Sequence, residues 1–309
     1  MRFPSGCGTA IVTPFTTSGA VDEAAFRALV EWQITEGIDF LVPCGSTGEA
    51  QTLTAEERRR VVAITVEVAA GRVPVIAGAT NNDTAAAVVE TKAMCSLGVD
   101  GIMSACPYYN KPTQAGLERH FLSIADASTK PVMLYNIPGR TGVNLLPATA
   151  LQLAKHPRIR ALKEASGDLQ QMMRLLADRP DDFAILSGDD AFAYPLIALG
   201  GDGIVSVISN QVPAMMSRMT RMALDADFAA ARALHFQLLP LIDANFLETN
   251  PSPVKAGLFL MGRIQNVLRL PLIPVTDKTS AALAQALGGI RALPNQSRPE
   301  GVTAGATSS

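Results

Sequence analysis

A (β/α)8 barrel followed by a helical C-terminal region is the fold this sequence predicts, on three observations. Eight short apolar runs recur along the chain at intervals of about 20–35 residues. Stretches with helical periodicity alternate with them, which is the pattern of βαβ units and a parallel sheet. The chain of 309 residues is also long enough, since one such barrel takes about 250. Closing the sheet into a ring leaves no strand edge exposed.

The apolar runs fall at 9–12, 40–42, 74–77, 101–104, 132–135, 159–162, 183–186 and 203–207, each the length of a buried strand. Helical periodicity fills 22–36, 54–70, 84–96, 114–127, 147–155, 169–176 and 191–199 between them. Thr54 precedes Ala55-Glu56-Glu57, an N-cap with a glutamate placed to close a capping box. Asp22 and Thr84 are similar candidate caps. After the eighth run the alternation stops: 212–224, 228–245, 253–261 and 280–287 read as helices with no strands between them. The division expected is a barrel over 1–224 and an α-helical region over 225–294. Residues 295–309 are rich in Gly, Ser, Thr and Pro with almost no apolar anchors, so a disordered tail is expected there.

Hydrophobic residues make up 48% of the chain and charged residues 17%, the balance of a globular protein. The net charge of -2 and the lack of a basic run argue against nucleic acid and for a small-molecule partner. Cys7, Cys44, Cys95 and Cys106 are too widely spaced for a zinc motif or a disulfide framework. His120, His156 and His235 form no helical ligand pair, so no metal is expected. No apolar stretch reaches membrane-spanning or signal-peptide form, and a cytoplasmic location is expected.

In a barrel of this kind the loops after the strands share one face, where active sites sit. Gly45-Ser46-Thr47-Gly48-Glu49 follows the second run, Pro107–Pro112 the fourth and Tyr135–Gly142 the fifth, while Lys163 ends the sixth. Glycine-flanked hydroxyls let backbone N–H groups approach an anion, and a carboxylate fits. Tyr135 supplies a phenol for proton transfer, and Arg140 a fork for a second carboxylate. Lys163, held neutral in a pocket, can attack a ketone to form a Schiff base. Taken singly, each has an ordinary reading: a solvated lysine, a packed tyrosine, a surface arginine, a glutamate in a helix's first turn. Four such segments in barrel order outweigh those readings. Glu164 and Asp168 are nevertheless read as caps or solvated turn residues, an option open for Asp189 and Asp190 too.

GSTGE (45–49), PYYNKPTQ (107–114), YNIPGRTG (135–142), LKEASGD (162–168) and LSGDD (186–190) together resemble the dihydrodipicolinate synthase family of class I, pyruvate-dependent aldolases and lyases. The resemblance runs from about residue 8 to 293. It implies a homotetramer of barrels that condenses pyruvate with L-aspartate 4-semialdehyde without metal or organic cofactor. It assigns the imine to Lys163 and a proton relay to Tyr135, Ser46 and Tyr109, with Tyr109 serving the neighbouring subunit's site. Thr47 binds the pyruvate carboxylate, Arg140 the aldehyde's carboxylate, and Gly188 and Val205 line the pocket. Many members carry threonine where this chain has Ser46, so the relay keeps its hydroxyl but loses a β-branch. Two alternatives are an N-acetylneuraminate lyase or keto-sugar-acid aldolase, which usually lack the GRTG context of Arg140, and a non-catalytic metabolite binder. Lysine-sensitive members place an acid where this chain has Ala86 and a histidine where it has Arg58, while Asn82 and Tyr108 are kept. Weak or absent inhibition by lysine is expected.

Overall fold

The computed structural model describes residues 3–291. The expected tail over 295–309 lies outside them. Eight parallel strands form the barrel: β1 Gly6–Thr9, β2 Phe40–Leu41, β3 Ile76–Gly78, β4 Gly101–Ala105, β5 Val132–Asn136, β6 Ile159–Glu164, β7 Ala184–Ser187 and β8 Gly203–Ser206. Their order is β2-β1-β8-β7-β6-β5-β4-β3. A parallel bridge between Leu41 and Val75, with Leu41 N–H on the Pro74 carbonyl at 2.9 Å, draws β2 and β3 together and closes the ring.

Helices α1 Glu23–Thr35, α2 Ala55–Ala69, α3 Thr84–Cys95, α4 Gln114–Ala127, α5 Pro138–Thr141, α6 Pro147–Leu153, α7 Leu169–Asp178, α8 Ala193–Ala198 and α9 Pro213–Leu224 alternate with the strands, and α10 Phe228–Asn245, α11 Ser252–Leu260 and α12 Asp277–Arg291 follow. The capping box at α2 is present: Thr54 accepts from Glu57 N–H at 3.2 Å, and Glu57 accepts from Thr54 N–H at 2.9 Å. Asp22 caps α1 through Ala25 N–H at 3.0 Å. At α3 the cap is Asp83, not Thr84, whose hydroxyl instead meets the His120 ring at 2.9 Å. Asp168 caps α7 through the N–H groups of Gln170 and Gln171.

Side chains alternate across each strand. Val132 and Leu134 of β5 face the helical layer, whereas Met133 and Tyr135 join Phe40, Ile76, Met103, Ala161, Leu186 and Val205 in the barrel interior. A register irregularity between Val132 and Met133 skips Arg160, so Met133 pairs with Ala161 and Tyr135 with Lys163. Ala161 faces the interior and Leu162 the helices, which turns Lys163 inward beside Tyr135. The strand runs on through Glu164, two residues past the apolar run that announces it.

Candidate active site

The barrel top gathers most of the sequence-predicted residues. Lys163 is only 4% exposed, with Nζ 4.1 Å from the centre of the Tyr135 ring. Burial pulls its pKa down to about 7; the Asp190 charge opposes that shift and the Arg140 charge assists it. Burial likewise pushes the Tyr135 phenol well above its usual value, so it stays protonated at neutral pH. Gly188 lies against the lysine stem: a Cβ built there would come 3.0 Å from Lys163 Cε and 2.8 Å from Ala165 Cβ. Only glycine allows β7 to approach this closely. Val205 on β8 is fully buried in the interior layer that holds Tyr135.

Ser46 and Arg140 line a cleft of about 270 Å³ together with Glu49, Thr80, Ala105, Ile137 and Asn250. Lys163, Tyr135 and Thr47 are outside its lining. Thr47 is buried, and its hydroxyl accepts from Asn250 Nδ2 at 2.9 Å. The 45–49 loop turns tightly, with Gly48 N–H on the Gly45 carbonyl and Glu49 N–H on the Ser46 carbonyl. Among the described residues, the N–H groups of Ser46 and Thr47 donate to no backbone acceptor. Two successive N–H groups without a backbone acceptor, beside two hydroxyls, are donors of the kind a carboxylate uses. Arg140 follows β5 on α5, and its guanidinium donates to the Asn250 carbonyl at 2.8 Å.

Tyr109 is not brought into this group. Its side chain is 87% exposed, on a backbone in the left-handed region at φ 73°.

Glu164 corrects a sequence reading: it is a buried carboxylate, not a solvated turn residue. It accepts from Asn136 Nδ2 at 3.1 Å, Ser166 N–H at 2.7 Å and Gln171 Nε2 at 3.3 Å, behind the lysine on the helix-facing side. Its pKa is raised by burial, against the pull of those donors. Asp190 is buried as well, accepting from Ser206 Oγ at 2.5 Å and from the N–H groups of Val207 and Ile208. Burial lifts its pKa to about 6. Asn250 and Lys255 went unread because their partners lie about 200 residues earlier in the chain, and no local pattern reports such pairs. Among the described residues, no cluster of three or more His, Cys, Asp or Glu side chains has metal-binding form.

A barrel with an enclosed lysine at a strand end, its pKa brought down to about 7 beside a buried phenol, has the site of a lyase of the class I aldolase type. Residues 4–289 match the Dihydrodipicolinate synthetase family. The chain is 57% identical over 279 residues to the 4-hydroxy-tetrahydrodipicolinate synthase of Koribacter versatilis, covering 90% of this chain and 93% of that one. It is 53% identical to the Acidobacterium capsulatum enzyme of the same name, over 92% of this chain and 95% of the relative. Among solved structures, the chloride-inhibited dihydrodipicolinate synthase from Acinetobacter baumannii complexed with pyruvate superposes with a TM-score of 0.91 at 41% identity, covering 93% and 99% of the two chains. The chain belongs to the dihydrodipicolinate synthetase family.

Proposed function

We propose that this protein is a 4-hydroxy-tetrahydrodipicolinate synthase, condensing pyruvate with L-aspartate 4-semialdehyde in lysine and diaminopimelate biosynthesis. The observation that carries the reading is Lys163: enclosed, with its pKa brought down to about 7, and stacked near the Tyr135 phenol. A neutral amine attacks the pyruvate ketone, and loss of water from the carbinolamine leaves a protonated imine. That imine draws electrons from the substrate, so a proton leaves the pyruvate methyl and an enamine forms. The enamine carbon attacks the aldehyde carbon. The substrate's own amine then displaces Lys163 and closes the ring.

Tyr135 carries protons in imine formation and in C–C bond formation, with Ser46 and Tyr109 completing the relay. Acid–base help of this kind supplies about 10²–10⁴-fold. Thr47 and the free N–H groups of the 45–49 loop take the pyruvate carboxylate. Arg140 takes the carboxylate of the aldehyde, and Gly188 and Val205 shape the wall. The pyruvate complex of the Acinetobacter baumannii relative supports the choice of first substrate. The fold-wide identity to enzymes of this name supports the second.

The assembly proposed is a cytoplasmic homotetramer built from dimers in which Tyr109 enters the neighbouring site. Its outward position supports that role, since an isolated chain leaves it in solvent. Among the described residues no helix is long and apolar enough to cross a membrane. Mixing Tyr109→Phe with Lys163→Ala under subunit exchange should restore activity, because one mixed site regains both groups. Exchange without recovery would return Tyr109 to its own subunit.

The direct test of the function is borohydride reduction with pyruvate, followed by peptide mass spectrometry. A three-carbon acid on Lys163 is expected. An adduct on a different lysine, or none, overturns the mechanism.

A further inference from the structure

The helical region after the barrel reaches back to the 45–49 loop at two points. Asn250 donates through Nδ2 to Thr47 Oγ1 at 2.9 Å, while its carbonyl accepts from Arg140 at 2.8 Å. Lys255 on α11 is fully buried, as is its partner Glu49, the last residue of the loop. Lys255 Nζ donates to Glu49 Oε1 at 2.6 Å and to the Thr13 carbonyl at 2.9 Å, and sits 4.1 Å over the Phe15 ring. Its three protons therefore have three acceptors. The second Glu49 oxygen accepts from Arg269 N–H at 3.1 Å.

The loop needs such holding. Cys44, just before it, and Glu49, its last residue, both lie in the left-handed region, at φ 57° and 52°. Residues with a Cβ adopt that conformation only when their surroundings over-determine it. Between those two positions lie Ser46 and Thr47, whose N–H groups are left free for an anion. Among the described residues, the hydrogen bonds to the Glu49 carboxylate all come from Lys255 and Arg269, in the chain beyond α10.

We infer that Asn250 and Lys255 are positioning residues that hold the 45–49 loop in its anion-binding form, which makes the helical region part of the pyruvate site. This rests on the assignment of the pyruvate carboxylate to Thr47 made above. A brace of this kind acts on pyruvate and spares the second substrate, because the Arg140 contact uses the Asn250 backbone, which a side-chain change keeps.

The test measures the pyruvate concentration that half-saturates borohydride trapping at Lys163, alongside KM for each substrate and the unfolding temperature. Asn250→Ala removes one neutral hydrogen bond and should raise the half-saturating pyruvate concentration about 3–10-fold. KM for the aldehyde should change less than about 2-fold, within the scatter expected of an uncoupled site. Lys255→Met strands a buried carboxylate and lowers stability, so Glu49→Gln/Lys255→Met, neutral on both sides, is measured with it. The double variant should fold and still weaken pyruvate about 10-fold, as the loss of a charge-assisted pair in the loop predicts. Unchanged pyruvate saturation in Asn250→Ala and in the double variant would overturn the inference, whatever happens to the unfolding temperature. Equal weakening toward both substrates would also overturn it. Absence of any trapping in the unaltered protein would be a failure of the Schiff-base reading itself.

Discussion

Two lysines are buried among the described residues, and they are buried in opposite ways. Lys163 is enclosed with no hydrogen-bonded or ion-paired acceptor acting on its amine; burial dominates, and its pKa falls to about 7. Lys255 is enclosed as well, and burial lowers its pKa too, but Glu49 opposes that shift by charge and by a hydrogen bond. The paired amine, tied to Glu49 at 2.6 Å and to the Thr13 carbonyl at 2.9 Å, is a strut. The unpaired one can give its proton up and become a nucleophile. Desolvation alone does not make a reactive lysine; withholding the carboxylate does.

The widest separation between the two should come from truncation. Lys163→Ala should abolish trapping of pyruvate by borohydride at any substrate concentration, as read by intact mass. Residual trapping elsewhere in the barrel would erase the distinction drawn between the two amines. Next in size is Arg140→Ala. A lost charged hydrogen bond is worth about 1.5–3 kcal/mol, roughly 10–150-fold. That loss should fall on kcat/KM for the aldehyde, with pyruvate imine formation retained. Equal loss of trapping would contradict the assignment of Arg140 to the second substrate.

The pH dependence sharpens the comparison further. Protonated Lys163 cannot attack, so the rate of pyruvate imine formation should fall as pH drops through about 7. Below that limb the fall is about tenfold per pH unit. The Asp190 charge favours the ammonium, so Asp190→Asn should move the limb to lower pH; Arg140 disfavours it, so Arg140→Ala should move it higher. Stopped-flow measurement between pH 5 and 9 reads both shifts, and a limb that stays fixed in both variants would remove the electrostatic account of the nucleophile.

The barrel was legible because its signal is periodic, and most of the expected helices and strand runs overlap observed elements. The strand run that overlaps least, by Thr9 alone, is instructive. The run at 9–12 is displaced from β1 at Gly6–Thr9, since Gly6-Cys7-Gly8 carries turn composition. Gly8 is nevertheless a strand residue, paired with Phe40 and Val205, and it is glycine because a Cβ there would come 2.1 Å from the Phe40 ring. That reason lies in tertiary packing, 32 residues away. Lys163 was legible through its neighbours in the motif. Its inward direction was not, because it depends on the irregularity that skips Arg160. Glu164 misled for the same cause: a carboxylate in a polar turn looks solvated until Asn136 and Gln171 arrive from other elements. Lys255 had one local cue, a lone cation within the apolar segment Ser252–Leu260, but nothing nearby named Glu49.

The smallest expected effect concerns a third amine, that of free lysine as an inhibitor. Residues that the family resemblance assigns to such a site lie together: Asn82 donates to the Tyr108 carbonyl at 3.3 Å, and the Tyr108 hydroxyl to Gln51 at 3.3 Å. Ala86 offers no carboxylate there. Glu90 does not replace it, because Arg58 holds both its oxygens, at 2.8 and 3.3 Å. Discrimination by Arg58 against lysine would rest less on its own charge, which Glu90 offsets, than on its occupying the acid that an ammonium needs. An ammonium entering this region would be in the position of Lys163, desolvated without a partner, and not in that of Lys255. Steady-state assays should show little or no inhibition by lysine at millimolar concentrations, and half-inhibition below 1 mM would mean that a carboxylate reaches the effector after all. Ala86→Glu should then be the change that creates sensitivity, because it supplies the one group by which the two buried lysines differ.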